Sequence, residues 1–153
     1  MIKLTPLIAE LYDTALAEGH EALLGTVSAD GTPQISPKGS IAVFDDHTLS
    51  FWERSHRSTE HNLAANPKVV VYYRNAARMK EIPYGGGAFR IYGTARIVKD
   101  GPEREKVWEK TNETEQSRDK DKTGVGVLID VDRVEELNDV AGGLNELVTG
   151  EAS

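Results

Sequence analysis

The order of its elements constrains this chain more than any other feature. Short β-type runs follow one another through tight turns, with no helix-length segment between the second, third and fourth. Ala22 to Ser28 is a β run, Asp30-Gly31 is a hairpin signal, and Pro33 to Ser36 begins the return strand. Ile41 to Phe44 and Leu49 to Trp52 come next, around the turn Asp45-Asp46-His47. Parallel neighbours need a crossover of roughly a dozen residues, so these strands pair antiparallel.

The remaining segments fit the same architecture. Thr5-Pro6 opens a helix as cap and first-turn residue, Gly19 closes it, and Leu4, Leu7, Ile8, Leu11, Tyr12 and Ala15 recur at helical spacing. Ser58 to Ala65 has helical composition and stops at Asn66-Pro67. Val69 to Tyr73 is a buried strand by its β-branched and aromatic content, Asn75 to Gly87 a loop, and Phe89 to Val98 a long strand. Pro102 starts a charged helix through about Thr114, Arg118 to Lys122 reads as a solvated loop, and Val125 to Val131 is the last strand. Six or seven short strands with peripheral helices predict a mainly β fold, a closed antiparallel barrel. Residues 1–141 form the single domain and 142–153 a loose C-terminal tail.

At 153 residues the chain has room for one core. No apolar run approaches the roughly 18–20 residues of a membrane span, so no membrane partner is expected. Met1 to Pro6 lacks the pattern of a signal peptide, and a cytoplasmic location follows as an expectation. The absence of cysteine excludes disulfides, thiolate metal ligands and iron–sulfur clusters. Net charge is −7, unevenly spread: Arg54 to Lys80 carries +5 and the remainder −12. One basic island in an acidic chain suits a compact anionic ligand, whereas a nucleic-acid backbone would meet repulsion elsewhere.

Two segments could carry chemistry. Phe51 to Leu63 ends a strand, passes a turn rich in arginine and hydroxyls, and begins a short helix at Ser58 or Thr59. Unpaired N–H groups at a helix start suit a phosphate, with Arg57 as charged donor and Ser58 and Thr59 as hydroxyls. The same residues read equally well as an N-cap beside a surface charge. Pro37-Lys38-Gly39-Ser40 lies between two strands, where Gly39 allows close backbone approach and Lys38 supplies charge; a turn or β-bulge explains it too. Trp52, Tyr84, Tyr92 and Trp108 are candidates to flank a flat ring. His56 and His61 have no third ligand nearby, and His20 and His47 lie in turns, so no metal site is expected.

Asp30-Gly31-Thr32-Pro33, Ile35-Ser36-Pro37, Leu49-Ser50-Phe51-Trp52 and Arg57-Ser58-Thr59-x-x-Asn62-Leu63-x-x-Asn66-Pro67-x-Val69 occur in this order. With Phe89 to Ala95 and Asp100-Gly101-Pro102, the set resembles the pyridoxamine-phosphate-oxidase-like FMN-binding split-barrel family across about residues 7–133. The small FMN-binding members are the nearer likeness. The vitamin-processing enzyme's Arg-Leu signature is missing, since Arg133 is followed by Val134.

The resemblance implies a six-stranded antiparallel split barrel that forms a two-fold homodimer, with FMN in a cleft between subunits. It points to Arg57, Ser58 and Thr59 for the phosphate, with Thr59 where many members carry lysine. Lys38, Gly39 and Ser40, preceded by Pro37, would run along the ribityl chain and ring edge, with Trp52 and Glu53 nearby. The implied activity is that of an FMN-dependent oxidoreductase drawing on NADH or NADPH. The alternatives are a non-enzymatic FMN-binding or electron-carrying protein, or a split barrel holding haem or the deazaflavin coenzyme. No residue stands out as an obligatory catalytic acid or base.

Overall fold

The computed structural model describes residues 3–81, 87–137 and 144–146; for residues 136–137 and 144–146 the description is of backbone alone. The chain runs α1 (Pro6–Glu18), β1 (Ala22–Val27), β2 (Pro33–Lys38), β3 (Ala42–Asp45), β4 (Thr48–Glu53), α2 (Ser58–Ala65), β5 (Lys68–Arg74) and β6 (Ala88–Val98). After these come α3 (Gly101–Lys110), α4 (Glu113–Ser117), β7 (Val125–Leu137) and β8 (Leu144–Glu146). Seven strands form one antiparallel sheet in the order β2-β1-β5-β6-β7-β4-β3, and β8 pairs with β7. Among the described residues no ladder joins β2 to β3, so the barrel is split where the residue pattern alone predicts a closed one. The seven strands on this path are those read in the sequence, one more than the six that the resemblance implies, and β8 is the addition.

Local chemistry sets most boundaries. The Thr5 hydroxyl accepts the Ile8 N–H, Pro6 needs no donor, and Gly19 at φ +77° turns its N–H back on Ala15 and Leu16. The buried face of α1 enters the main core, where Tyr12 packs edge-on to Tyr73 and Phe89 at 5.8 and 5.9 Å. The register of β6 and β7 shifts between Tyr92 and Gly93, bending the two longest strands. A Cβ at Gly93 would lie 2.5 Å from Ile129 and 2.6 Å from the Asp130 carbonyl, so only glycine fits.

Three boundaries differ from the sequence reading. The charged helix ends at Lys110, and a second begins after Asn112, whose side chain accepts the Glu115 N–H at 2.9 Å. The last strand continues to Leu137, past the exposed charges of Asp130, Asp132 and Arg133, which obscure the strand pattern. Asp119, read as part of a solvated loop, is buried. Within the segment read as a tail, Leu144–Glu146 form β8; its other residues, like 82–86 in the long loop, lie outside the described residues. Among the described residues no helix is long and apolar enough to cross a membrane.

The helices cover the sheet unevenly. β4 is buried on both faces, the outer one under α3 in a second core of Phe44, Trp52, Val107 and Leu128. Nothing comparable covers β2, which is half-buried on one face and exposed on the other. Lys38 at the end of β2 reaches across the split to Glu53 at the end of β4, Nζ to Oε2 2.6 Å. Glu53 is 3% exposed and also accepts the Ser55 N–H and hydroxyl at 3.1 and 2.7 Å. Burial pushes its carboxyl up, but the Lys38 and Ser55 hydrogen bonds outweigh that and hold it below the ordinary carboxylate value.

Glu53→Gln, which strands the Lys38 ammonium, is expected to cost about 3–5 kcal/mol at pH 7 in urea denaturation. Lys38→Met/Glu53→Leu should recover much of that loss. Because the folded carboxyl titrates below its unfolded value, the pair's contribution is complete above the unfolded pKa and is lost as pH falls through the folded one. The gap between wild type and Glu53→Gln should therefore narrow on acidification, and a gap constant from pH 7 to 3 would contradict this account.

Candidate functional site

Six of the nine residues singled out in the sequence border one cleft of about 130 Å³: Pro37, Lys38, Gly39, Ser40, Trp52 and Glu53. The Ser40 hydroxyl accepts the Trp52 N–H at 3.0 Å and donates to the Trp52 carbonyl at 3.3 Å, carrying the β3–β4 pairing one step beyond its ladder. Gly39 is held from behind, where its carbonyl accepts from Asn112 at 2.7 Å. A Cβ on Gly39 would lie 2.7 Å from the Glu115 carboxylate and 3.2 Å from Leu16, so the close approach is to α4 and α1.

Arg54, Ser55 and Glu115 complete the lining and were not among the nine residues singled out in the sequence. Glu115 is buried and draws in two guanidiniums, Arg118 at 2.7 Å and Arg54 at 3.5 Å. These three residues also border an adjoining cleft of about 290 Å³ that shares Pro37 and Gly39. Arg54 was visible as part of the basic stretch. Glu115 gave no signal, because only α4 docking on Gly39 brings it to the site.

Trp52 borders the cleft, but its indole serves the fold. Its Nε1 donates to Asp119 at 2.7 Å, Trp108 packs on it at 4.9 Å and the Arg104 guanidinium lies 4.8 Å from its ring centre. Asp119 also accepts from the Gly124 N–H and from the Thr123 N–H and hydroxyl, at 2.8 to 3.0 Å. Burial raises the Asp119 carboxyl, and these four donors outweigh it, bringing it down to about 2. Trp108 lies in the same second core, Tyr92 faces outward from β6, and Tyr84 lies outside the described residues.

The other three residues begin α2, just beyond the strand end that bears Glu53. Arg57 is itself the N-cap and makes no capping hydrogen bond with its side chain, so neither Ser58 nor Thr59 is the cap. Ser58 is exposed and Thr59 is 4% exposed, leaving Ser58 as the accessible hydroxyl. The Arg57 side chain is exposed and without an ion pair among the described residues. The first turn of α2 therefore retains donors that no side chain of its own satisfies, beside an uncommitted cation.

HupZ from Group A Streptococcus has the same fold, with a TM-score of 0.66 and 24% identity over 92% of this chain and 98% of its own. An FMN-binding protein from Syntrophomonas wolfei superposes with a TM-score of 0.59 at 14% identity, covering 82% of this chain and 83% of its own. An F420 reductase does so at 0.53 and 21% identity, over 75% and 88%. No protein of curated function matches the chain. The profile of the family described as pyridoxamine 5′-phosphate oxidase matches residues 8–138, nearly the whole of the barrel. This chain belongs to that family.

Proposed function

We propose that this chain binds FMN, with the phosphate at the first turn of α2 and the ring system along the Lys38–Glu53 cleft, and that it acts as an oxidoreductase. The observation that carries the reading is the uncapped start of α2 beside the uncommitted guanidinium of Arg57, within an otherwise acidic chain. A helix start and an arginine are complementary to a phosphate in charge and in hydrogen-bond geometry. The cleft suits the uncharged part of such a ligand, because the Lys38 and Glu53 charges cancel there. An FMN-binding protein and an F420 reductase of the same fold support a flavin or a deazaflavin as the ligand class.

When bound, FMN would supply the chemistry of hydride and electron transfer, with NADH or NADPH as the proposed donor. The chain's own residues then bind and orient. Arg57 and Ser58 would hold the phosphate, while Lys38, Gly39 and Ser40 would line the ribityl chain. Glu53 would fix the Lys38 ammonium so that it presents one orientation.

A homodimer belongs to the same proposal. By itself the cleft of about 130 Å³ is smaller than the roughly 300–1,000 Å³ typical of small-molecule sites, and it reaches that range only with the adjoining cleft of about 290 Å³; in this proposal a second chain adds a further wall. The outer face of β2, β1, β5 and β6 carries a shallow apolar hollow lined by Leu23, Ile35, Val70, Tyr72 and Tyr92, with Ile35 72% exposed. An apolar surface of that kind favours association, and a two-fold copy of itself is the commonest partner.

Arg57→Ala should weaken FMN binding roughly ten- to a hundredfold while leaving riboflavin, which has no phosphate, almost unaffected. Ser58→Ala should act in the same direction with a stability change of about 0.5 kcal/mol or less, since Ser58 is not a cap. Parallel losses of both ligands in titrations would exclude this phosphate site. The absorption spectrum of the loaded protein separates a flavin from a deazaflavin or haem, and steady-state oxidation of NADH or NADPH separates an enzyme from a carrier.

Ile35→Asp should convert a dimer to a monomer in light scattering and reduce FMN affinity with it. A wild-type monomer that still holds FMN tightly would refute the shared site.

A further inference from the structure

His56 is not an isolated surface histidine. It stands in the loop between Ser55, which borders the cleft, and Arg57, which begins α2. Its backbone lies at φ +52°, a left-handed conformation that non-glycine residues keep only where surrounding contacts fix it. The contacts here are two. Nδ1 lies 3.0 Å from the Glu60 carboxylate on α2, and Nε2 lies 2.8 Å from the Thr123 carbonyl at the entry to β7.

Both partners only accept. A carbonyl has no proton to give, and an ionised carboxylate has none either, so both ring nitrogens must donate, and only the imidazolium does that. The Thr123 carbonyl is also a fixed target, because Asp119 holds the Thr123 N–H and hydroxyl. The charges facing the ring are Glu60 on α2 and Glu53 at the end of β4; the segment before β7 presents the neutral carbonyl. First the Thr123 carbonyl and then the Glu60 carboxylate hold the imidazole pKa above its ordinary value.

We propose that His56 is a positioning residue whose imidazolium form pins the Arg57 loop to the start of β7, so that phosphate binding at α2 weakens when the ring loses its proton. The part concerning phosphate rests on the FMN reading above. The sign follows from linkage: a raised histidine pKa means that the clamp is complete below about pH 6.5 and is lost as pH rises through the folded value.

The test uses His56→Asn, since asparagine tolerates left-handed backbone and does not titrate. FMN and riboflavin affinities are measured from pH 5.5 to 8.5 on both proteins, and ring-nitrogen NMR follows His56 in wild type and in Glu60→Gln. The titration of the free FMN phosphate, which falls in this range, is common to both proteins and cancels in their ratio. Wild type should bind FMN roughly three- to tenfold more tightly than His56→Asn at pH 5.5, with the advantage gone by pH 8.5 and no such trend for riboflavin. The NMR should show both nitrogens protonated at pH 6, with a midpoint above 6.5 that drops in Glu60→Gln. A pH-independent FMN ratio would overturn the positioning role, and a His56 midpoint insensitive to Glu60→Gln would overturn the clamp. If wild type binds no FMN at any pH, the FMN reading falls and the NMR alone decides the clamp.

Discussion

The Lys38–Glu53 pair is the contact on which the rest of this molecule depends. A sheet that stops short of closing leaves an opening between its ends, and an opening must be filled, covered or held to one width. Here the end of β2 and the end of β4 are tied across it by one short ion pair, with the carboxylate almost fully buried. A buried pair of this sort adds little net stability over well-packed apolar groups, because desolvation offsets most of the attraction. It does discriminate between arrangements. Either charge alone at that depth is strongly unfavourable, so the barrel settles at the one spacing that brings the two together. The cleft beside them inherits that spacing.

The uneven covering of the sheet follows from where the helices fall in the chain. Helix α3 arises between β6 and β7 and folds back over β7 and β4, and Trp52 and Val107 make the seal. Helix α2 meets β1 at its buried face, where the Asn62 amide donates to the Thr26 hydroxyl, and among the described residues no helix covers the outer face of β2 and β1. Their outer face carries apolar side chains between edge prolines at 33 and 37, which cannot donate to a further strand. Such an edge resists indiscriminate strand addition while its face remains open to a matching surface. The division of labour between a sealed half and an open half is thus a matter of chain order as much as of composition.

Much of this was legible in the sequence because it is local. Asp30-Gly31 forms its hairpin, Thr5-Pro6 and Gly19 bound their helix, and Asn66-Pro67 ends α2, each through chemistry contained within a few residues. Pro37 to Ser40 was identifiable as a link between two strands and Trp52-Glu53 as a strand end, and the fold brings them to one cleft. What escaped depends on contacts distant in sequence. Asp119 sits in the run Arg118 to Lys122, which looks solvated, and Glu115 shortly before it, yet both are buried and each meets a partner more than sixty positions away: Arg54 for Glu115 and Trp52 for Asp119. The Thr123 partner of His56 was hidden for the same reason, whereas the Asn112 cap and the Glu60 partner of His56 are local contacts that went unread within charged stretches.

The seam of the barrel has a further property. The strands at the two ends of the hydrogen-bonded path, β2 and β3, are consecutive in the chain, with only Gly39, Ser40 and Ile41 between them. Where the ladder stops, a covalent thread crosses in its place. The two margins of the opening are therefore tethered at one corner and unlinked by backbone pairing along the rest of their length. That geometry makes the corner the natural pivot for any change in the width of the seam, with Gly39 beside it and the far end of β2 furthest from it. A change in the seam's width would then also change the cleft that shares the corner.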